Sequence, residues 1–250
     1  MKTYIINLKR CPERRLYMER LLSRYSFLDI EFVEAIDGKR LSEKEKKERF
    51  DQDKAFRLYG RYLSDGEIGC TLSHQLCYCK IKEGKEDYAL ILEDDLFIKS
   101  PNIHQILENI GLDLKNVKPE VLLLSGDYWW LHKKEQKDNY SVVSVYDASC
   151  TQSYVINKKA ATLLNVNVPY FIADDWLLFK QKVNLKAVHP HLIDQNRVDF
   201  STEVMATNIG IVRNQLSLKR NLYYYKVALL KGFLCKMGHF ESKTFKDGKA

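Results

Sequence analysis

Short apolar runs alternate with polar, helix-patterned stretches over the first hundred residues. The apolar runs predict three strands, at residues 3–8, 30–35 and 88–92. The last run is apolar throughout, which is typical of a central strand covered on both faces. Between these strands, Pro12 opens a predicted helix that ends near Arg24. Two serine–glutamate pairs with the capping-box spacing begin further helices: Ser42 with Glu45, and Ser64 with Glu67.

The second half of the chain has a more mixed pattern. Predicted strands lie at residues 121–124, 142–146, 151–156 and 185–188, and predicted helices at residues 158–165 and from Asp174-Asp175 onward. The strand–helix alternation of the first half favours a parallel, Rossmann-type sheet, and the closely spaced later strands favour a mixed sheet. We therefore predict an α/β domain at residues 1–210, with helices flanking the sheet, and a C-terminal helical tail at residues 211–250.

The composition is that of a packed globular protein, with 45% hydrophobic and 12% aromatic residues. A secretory signal needs about 7–15 consecutive apolar residues and a membrane-spanning helix about 20, and the sequence contains neither. The six cysteines show no CxxC pair and no metal-ligand spacing, so a reducing cytoplasm is expected. Cys70 and Cys77 share one face of a predicted helix, which suggests buried thiols.

The net charge of +7 is concentrated in the tail, where basic residues alternate with apolar and aromatic ones. The basic residues are Arg213, Lys219, Arg220, Lys226, Lys231, Lys236, Lys243, Lys246 and Lys249. Such a segment can bind an anionic membrane surface or nucleic acid. We expect that nucleic acid is not a partner, because no nucleic-acid-binding motif is present and acidic clusters elsewhere would repel phosphates. The alternative is a helix packed on the domain with solvated lysines.

Three acidic residues, Glu93, Asp94 and Asp95, directly follow the apolar run at residues 88–92. In open α/β sheets, ligands bind beyond the carboxyl ends of the strands. Crowded carboxylates repel one another, and a divalent cation with a preference for oxygen, Mn²⁺ or Mg²⁺, would relieve that repulsion. The alternative is a strand-to-loop turn whose acids are solvated.

A second acidic pair, Asp174-Asp175, stands where a helix is predicted to begin. Aspartate is a favoured helix N-cap, and it can also act as a general base toward a hydroxyl group. The two roles are compatible, since one residue can cap the helix while its neighbour faces a pocket. The sequence leaves the choice between them open.

The predicted helix at residues 64–82 carries further candidates. Glu67 is either the capping partner of Ser64 or a site residue, and His74 shares a helix face with Glu67 and Cys70. A histidine in such a position is either structural or a ligand. Arginines at the end of the first strand, Arg10 among them, suit phosphate recognition, with a solvated helix face as the alternative.

Several stretches of the sequence resemble glycosyltransferase family 25, the lipooligosaccharide-biosynthesis glycosyltransferases, whose domain also occurs in collagen galactosyltransferases. The similar stretches are YIINLKRCPERR at residues 4–15, EAIDG at 34–38, LSDGEIGCTLSH at 63–74 and ALILEDD at 89–95, and more loosely residues 152–156 and 173–176. The resemblance implies a GT-A-like fold, a UDP-sugar donor (UDP-galactose or UDP-glucose), a divalent metal, and inversion at the anomeric carbon.

The resemblance also implies roles for individual residues. Asp95 is similar to the family's metal-binding aspartate, with Glu93 and Asp94 beside it, and Asp174 aligns with the acid before the family's late helix. The remaining matches imply a nucleotide-binding edge and a pocket-lining helix, made of Asn7, Leu8, Arg10, Ile36, Asp37, Glu67 and His74.

The implied function is the transfer of a hexose from a UDP-sugar to a lipooligosaccharide or related surface glycan. The enzyme is expected in the cytoplasm, either free or bound peripherally to the inner face of the membrane, where a lipid-linked acceptor would be found. Two other classes fit part of the pattern. One is an inactive glycan- or nucleotide-binding module of the same fold, and the other is a metal-dependent phosphotransferase.

Overall fold

The computed structural model describes residues 1–114, 118–136, 139–150, 152–200 and 211–242. Within these residues the strands are β1 (Lys2–Asn7), β2 (Asp29–Glu34), β3 (Tyr88–Glu93), β4 (Leu96–Ile98), β5 (Glu120–Leu123), β6 (Asp127–Gln136), β7 (Ser141–Ser149), β8 (Ser153–Asn157), β9 (Asn184–His189), β10 (Ile193–Gln195) and β11 (Phe240–Glu241). The α-helices are α1 (Pro12–Leu22), α2 (Glu43–Arg49), α3 (Gln52–Tyr59), α4 (Asp65–Glu83), α5 (Ile103–Leu114), α6 (Lys158–Leu164), α7 (Trp176–Phe179) and α8 (Leu218–Lys236).

Nine of the strands form one sheet, in the order β11-β6-β7-β9-β5-β8-β3-β1-β2. β2, β1 and β3 run parallel to one another, whereas β8 runs antiparallel to both β3 and β5. The separate ribbon of β4 and β10 is antiparallel. The predicted α/β fold, a mixed sheet flanked by helices, is therefore confirmed. The carboxyl ends of β1, β2 and β3 meet at one edge of the sheet.

Both predicted capping boxes are present. Ser42 and Glu45 begin α2, and Ser64 and Glu67 begin α4, each through reciprocal side-chain and backbone hydrogen bonds. α4 is the long helix that packs beside the parallel strands, with its buried face formed by ten residues that include Ile68, Leu72 and Tyr78.

The turn after β2 crosses α4 at a very short distance. A Cβ atom added to Gly69 of α4 would lie 2.5 Å from the carbonyl oxygen of Ile36 and 2.7 Å from the backbone nitrogen of Gly38. Backbone atoms cannot yield as a flexible side chain can. Glycine at position 69 therefore allows the turn at Ile36 to approach α4 closely. This close approach is a physical reason for the second glycine of the GEIG stretch.

We expect Gly69→Ala to destabilise the protein by about 1–3 kcal/mol, the usual cost of overpacking a closely packed site. Gly232, on α8, is a matched control because an added Cβ meets nothing within 4 Å there. Gly232→Ala should stabilise the protein by up to about 1 kcal/mol through helix propensity. Urea unfolding of both variants measures the two effects, and equal changes would contradict the packing argument.

The structure decides which of the two aspartates caps the late helix. The residue that caps α7 is Asp175, whose side chain accepts a hydrogen bond from the Leu178 backbone, and not Asp174. Sequence patterns also did not predict α3, α5 or β6. The predicted strand at 151–156 is found as β8, and its first position, 151, lies outside the described residues.

The tail is packed against the rest of the chain. Tyr224 and Val227 of α8 form a small apolar cluster with Leu177 of α7, and β11 joins the edge of the large sheet beside β6. The predicted domain boundary at residues 210–211 falls at the end of the segment 201–210. Lys243, Lys246 and Lys249 of the predicted tail fall in the segment 243–250. Both of these segments lie outside the described residues.

Candidate active site

An open cleft, here called the acidic cleft, lies where β1, β2 and β3 end. Its lining comes from these strand ends, from the first half of α4 and from β10, which is distant in sequence. The predicted site residues found in the lining are Leu8, Arg10, Ile36, Asp37, His74, Glu93, Asp94 and Asp95. This position matches the general rule for ligand sites in open α/β sheets.

Asp94 is held by two partners at the back of the acidic cleft. The side-chain amide of Asn7 donates a hydrogen bond to Asp94 Oδ2 at 2.7 Å, and the Arg14 guanidinium donates one to Oδ1 at 2.9 Å. Arg14 is only 5% exposed, so the pair is well shielded from solvent. Because both carboxylate oxygens have donors, Asp94 is less suited than Asp95 to hold a cation.

Asp95 has a different environment, although Arg14 Nη1 also lies 3.7 Å from its Oδ2. Its Oδ2 accepts a hydrogen bond from Gln195 of β10 at 2.8 Å, while its Oδ1 is buried and has no hydrogen-bond donor among the described residues. Burial, reinforced by the negative charge of Glu93, raises the pKa of Asp95 to about 7. A buried oxygen without a donor and an excess of negative charge are what a bound Mn²⁺ or Mg²⁺ would satisfy, so the residues present fit such an ion.

His74 and Glu93 face each other across the acidic cleft. His74 Nε2 lies 3.8 Å from Glu93 Oε1, and His74 Nδ1 shares a 2.7 Å hydrogen bond with the Tyr154 hydroxyl. Burial lowers the pKa of His74 to about 4, so the ring is neutral at pH 7. A neutral imidazole can accept a hydrogen bond or bind a metal, but it cannot neutralise a phosphate charge.

The rim opposite the carboxylates is made by the turn after β2. Arg10 Nε donates to Asp37 Oδ2 at 2.8 Å, and the Ile36 backbone nitrogen donates to Ser73 Oγ at 2.8 Å. These contacts tie the β1 end, the turn and α4 into one wall. The Arg10 side chain is about one-third exposed and so has access to a ligand in the cleft.

Glu67 makes its contacts outside the acidic cleft. It completes the capping box with Ser64 and makes a bidentate ion pair with Arg61, with distances of 2.6 and 2.9 Å. It is not among the residues that line the acidic cleft. Its predicted part in ligand binding therefore has no direct contact to support it, and its clear role is to fix the start of α4.

Asp174 and Asp175 line a second, larger cleft between α7 and α8, here called the α7–α8 cleft. Asp174 Oδ2 accepts a hydrogen bond from the backbone of Cys150, a residue in the left-handed region with φ of 55°. Asp175 uses both oxygens, one for the cap of α7 and one for the Tyr59 hydroxyl at 2.6 Å. Burial raises the pKa of Asp175 to about 6.

The two clefts approach each other around α4. Burial raises the pKa of Cys70 and lowers the pKa of His74, and the negative charge of Asp174 has a smaller, upward influence on both. Both of these residues also line the acidic cleft. Asp174 therefore lies close enough to the acidic cleft for its charge to act on two of the residues that line it.

Two contributors to these clefts have no signal in the sequence. Gln195 reaches Asp95 from a strand one hundred residues later, by way of the short β4–β10 ribbon. Tyr59 holds Asp175 from the end of α3, a helix that the sequence pattern did not reveal. Both contacts depend on tertiary packing between segments far apart in the chain.

Comparison with known proteins gives several matches. Curated relatives include a "Glycosyltransferase 25 family member" of Aedes aegypti, 38% identical over 96 residues, or 37% of this chain and 16% of that protein. "Procollagen galactosyltransferase 2" of Homo sapiens is 34% identical over 96 residues, covering 37% and 15%. A "Putative glycosyltransferase" of Haemophilus influenzae is 29% identical over 189 residues, covering 73% of this chain and 64% of that protein.

The chain thus spans less than two-thirds of each of these relatives, and about one-sixth of the Aedes protein. Among solved structures, a galactosyltransferase in complex with donor and acceptor sugar analogues aligns with 75% of this chain and 73% of its own, at 12% identity and a TM-score of 0.37. The sequence profile of "Glycosyltransferase family 25 (LPS biosynthesis protein)" matches residues 1–178. This match covers well over half of the chain, which therefore belongs to glycosyltransferase family 25.

Proposed function

We propose that this family 25 glycosyltransferase transfers a hexose, galactose or glucose, from a UDP-sugar to a lipooligosaccharide or related surface glycan, with inversion. The observation that carries the proposal is Asp95, a buried carboxylate with an oxygen that lacks a donor, in a cleft at the ends of parallel strands. A divalent cation held by Asp95 and Glu93 would neutralise the leaving diphosphate. The relative named as a procollagen galactosyltransferase supports galactose as one of the two sugars.

On the donor side, some residues of the acidic cleft would bind the nucleotide, and others would hold or position the ligands of the cation. Arg10 and the turn at Ile36 and Asp37 form a rim on which a nucleotide would lie, since a guanidinium group binds phosphate oxygens well. Arg14 and Asn7 fix Asp94 and so keep the end of β3 rigid. The carboxylates of Glu93 and Asp95 then stand at a defined position for the cation.

On the acceptor side, we assign the general base to Asp174. Asp174 is the residue that the resemblance aligns with the family's acid before the late helix, and it lines the α7–α8 cleft beside Cys150, while Asp175 caps α7 and accepts a hydrogen bond from Tyr59. Inversion requires the base and the leaving group to lie on opposite faces of the anomeric carbon. The presence of two acidic clusters that line two different clefts supports this assignment.

The reaction is tested by measuring slow hydrolysis of a panel of UDP-sugars, with and without Mn²⁺ and with chelator. Hydrolysis of UDP-galactose or UDP-glucose that depends on the metal supports the proposal. UDP binding without hydrolysis would indicate an inactive module instead. Phosphate release from a nucleotide that carries no sugar would favour a phosphotransferase.

The outward face of α8 supports a membrane location. Large apolar side chains recur there at helical spacing, and their exposed fractions lie between 53% and 86%. They are Leu218, Leu222, Tyr225, Leu229, Phe233 and Met237, here called the outer stripe. α8 contains no acidic residue, and Lys219, Lys226 and Lys236 are exposed on it. No helix among the described residues is long and apolar enough to cross a membrane.

We infer that the outer stripe lies in the headgroup region of an anionic membrane that holds a lipid-linked acceptor. Exposed apolar side chains flanked only by cations match such a surface, and each cation near it contributes about 1 kcal/mol. Lys231 does not take part, because it pairs with Asp147 at 2.7 Å on the packed side of α8.

Co-sedimentation with vesicles that contain anionic lipid checks this inference. The wild-type chain is expected to bind, less strongly as salt is raised, and the double variant Leu222→Asp, Phe233→Asp is expected to lose binding. Leu163→Asp is the matched control, because Leu163 is 44% exposed on α6, away from the outer stripe. Equal binding by all three proteins would contradict a role for α8.

A further inference from the structure

Three side chains bring three different ligand atoms to one place in the acidic cleft. Cys70 and His74 lie one turn apart on α4, and Glu93 ends β3. The thiol sulfur, an imidazole nitrogen and a carboxylate oxygen all lie within 4.8 Å of one another, and His74 Nε2 is 3.8 Å from Glu93 Oε1. Ligand atoms around a tetrahedral zinc ion, with bonds of about 2.0–2.3 Å, are about 3.3–3.8 Å apart. Small side-chain movements would therefore bring all three to one ion.

The orientation of His74 favours such a site. Its Nδ1 shares a hydrogen bond with the Tyr154 hydroxyl at 2.7 Å, and that hydroxyl lies 3.0 Å from the hydroxyl of Tyr78. The hydrogen bond at Nδ1 therefore fixes the orientation of the His74 ring, with Nε2 on the side of Glu93. Metal-binding histidines characteristically have their second ring nitrogen hydrogen-bonded in this way.

The chemistry of the three ligands differs from that of the Asp95 position. Sulfur, nitrogen and oxygen ligands together suit Zn²⁺ and its neighbours in the transition series, whereas Mg²⁺ takes oxygen ligands. Three protein ligands on one side leave a coordination position on the other. Since Cys70, His74 and Glu93 all line the acidic cleft, that position opens toward a bound ligand.

We propose that Cys70, His74 and Glu93 form a zinc-type metal site beside the oxygen-ligand position at Asp95, with Glu93 shared between the two positions and one coordination position open to the acidic cleft. The site rests on the geometry of these side chains and does not depend on the transfer reaction proposed above. This metal site gives a chemical role to the CTLSH part of the LSDGEIGCTLSH stretch, because the spacing of Cys70 and His74 puts both on the same face of α4.

Co²⁺ is the probe, since a thiolate bound to Co²⁺ gives a charge-transfer absorption band in the near ultraviolet. The full chain is reduced, treated with chelator, desalted and titrated with Co²⁺. We expect the band to saturate at one equivalent, to disappear on addition of Zn²⁺, and to persist in a large excess of Mg²⁺. A wild-type protein that shows no band overturns the proposal without any need for a variant.

Variants then identify the ligands. Cys70→Ser is expected to remove the band, and His74→Gln to weaken Co²⁺ binding by at least about 10–100-fold, the loss that mutation of an outer-shell partner already causes. Cys79→Ser is the matched control, because Cys79 lies on α4 near Glu83 and does not line the acidic cleft. Asp95→Asn should keep the band, and thermal unfolding checks that each variant is folded.

A band that survives in Cys70→Ser, or that is lost in Cys79→Ser, would overturn the ligand assignment. Loss of the band in folded Asp95→Asn would show that the two positions form one site, and would overturn their separation. The readout is absorption and not transfer, so an enzyme that fails to transfer sugar can still pass this test, and an active enzyme can fail it.

Discussion

Asp95→Asn is expected to abolish sugar transfer while leaving the fold intact. The substitution keeps the shape of the side chain and the contact with Gln195, but it removes the negative charge that Asp95 offers to a cation. Without that charge the leaving diphosphate would not be neutralised, and losses of about 10²–10³-fold, about 3–4 kcal/mol of transition-state stabilisation, are typical for one such electrostatic group. Transfer or UDP-sugar hydrolysis by wild type and variant, over a range of Mn²⁺ concentrations, measures the loss.

Asp29→Asn provides the control, because Asp29 is an exposed aspartate at the start of β2, at the other end of the strands from the acidic cleft. Its activity should equal that of wild type. Wild-type activity that does not respond to chelator would rule out the assignment of Asp95 to a metal, as would an Asp95→Asn enzyme that keeps most of its rate.

The same variant should be more stable than wild type when no metal is present at alkaline pH. Because the folded pKa of Asp95 is raised from 3.8 to about 7, the wild-type protein loses stability as pH rises through this interval. At pH 8 in chelator we expect Asp95→Asn to gain on the order of 2–4 kcal/mol, and below about pH 4 no gain. Urea unfolding at the two pH values measures this difference. A variant that is less stable than wild type at pH 8 would show that the Asp95 charge is already satisfied.

The sequence predicted most of the elements around the acidic cleft because their signals are local. β1 and β3 contain continuous apolar runs, and β2 mixes apolar and acidic residues. α4 begins with a serine–glutamate pair whose hydrogen bonds need only a few residues to form. Strands alternating with helices then place the ends of β1, β2 and β3 together. The position of the acidic residues at this edge therefore follows from patterns within about one hundred residues.

Features that join distant segments had no such signal. Asp94 and Asp95 are neighbours with the same side chain, yet Arg14 and Asn7 hold one, while burial beside Glu93 raises the pKa of the other. The cap of α7 is another example. Asp174 and Asp175 are equally good caps by residue type, and the Tyr59 hydroxyl and the packing of α7 decide that Asp175 takes that position.

The tail is another case in which the sequence alone left two alternatives open. Its basic and apolar residues were visible in the sequence, and they allowed either a packed helix or a membrane-binding helix. The structure places the packed and the exposed apolar side chains on different faces of α8. Tyr224, Val227 and Lys231 face the domain, while the outer stripe faces away from it. Only the position of α8 beside α7 and β6 separates these faces.

Asp174→Asn is expected to lower kcat by about 10²–10⁴-fold, the usual contribution of a general base, with little change in the affinity for UDP. An asparagine at position 174 can still accept the hydrogen bond from the Cys150 backbone, so the local backbone is kept. What is lost is the ability to take a proton from the acceptor hydroxyl. Steady-state kinetics with a glycan acceptor, together with UDP binding by calorimetry, separate these effects.

Asp175→Asn is the matched comparison for this prediction. Asparagine caps a helix about as well as aspartate, and its amide can pair with the Tyr59 hydroxyl, so α7 should remain in place. Because burial already raises the pKa of Asp175 to about 6, removal of its charge should cost little stability at pH 7. We therefore expect Asp175→Asn to keep kcat within about tenfold of wild type, since its carboxylate takes no proton during transfer. If Asp175→Asn instead shows the large loss of kcat and Asp174→Asn does not, the roles of the two residues are exchanged, and the base is the residue that caps α7.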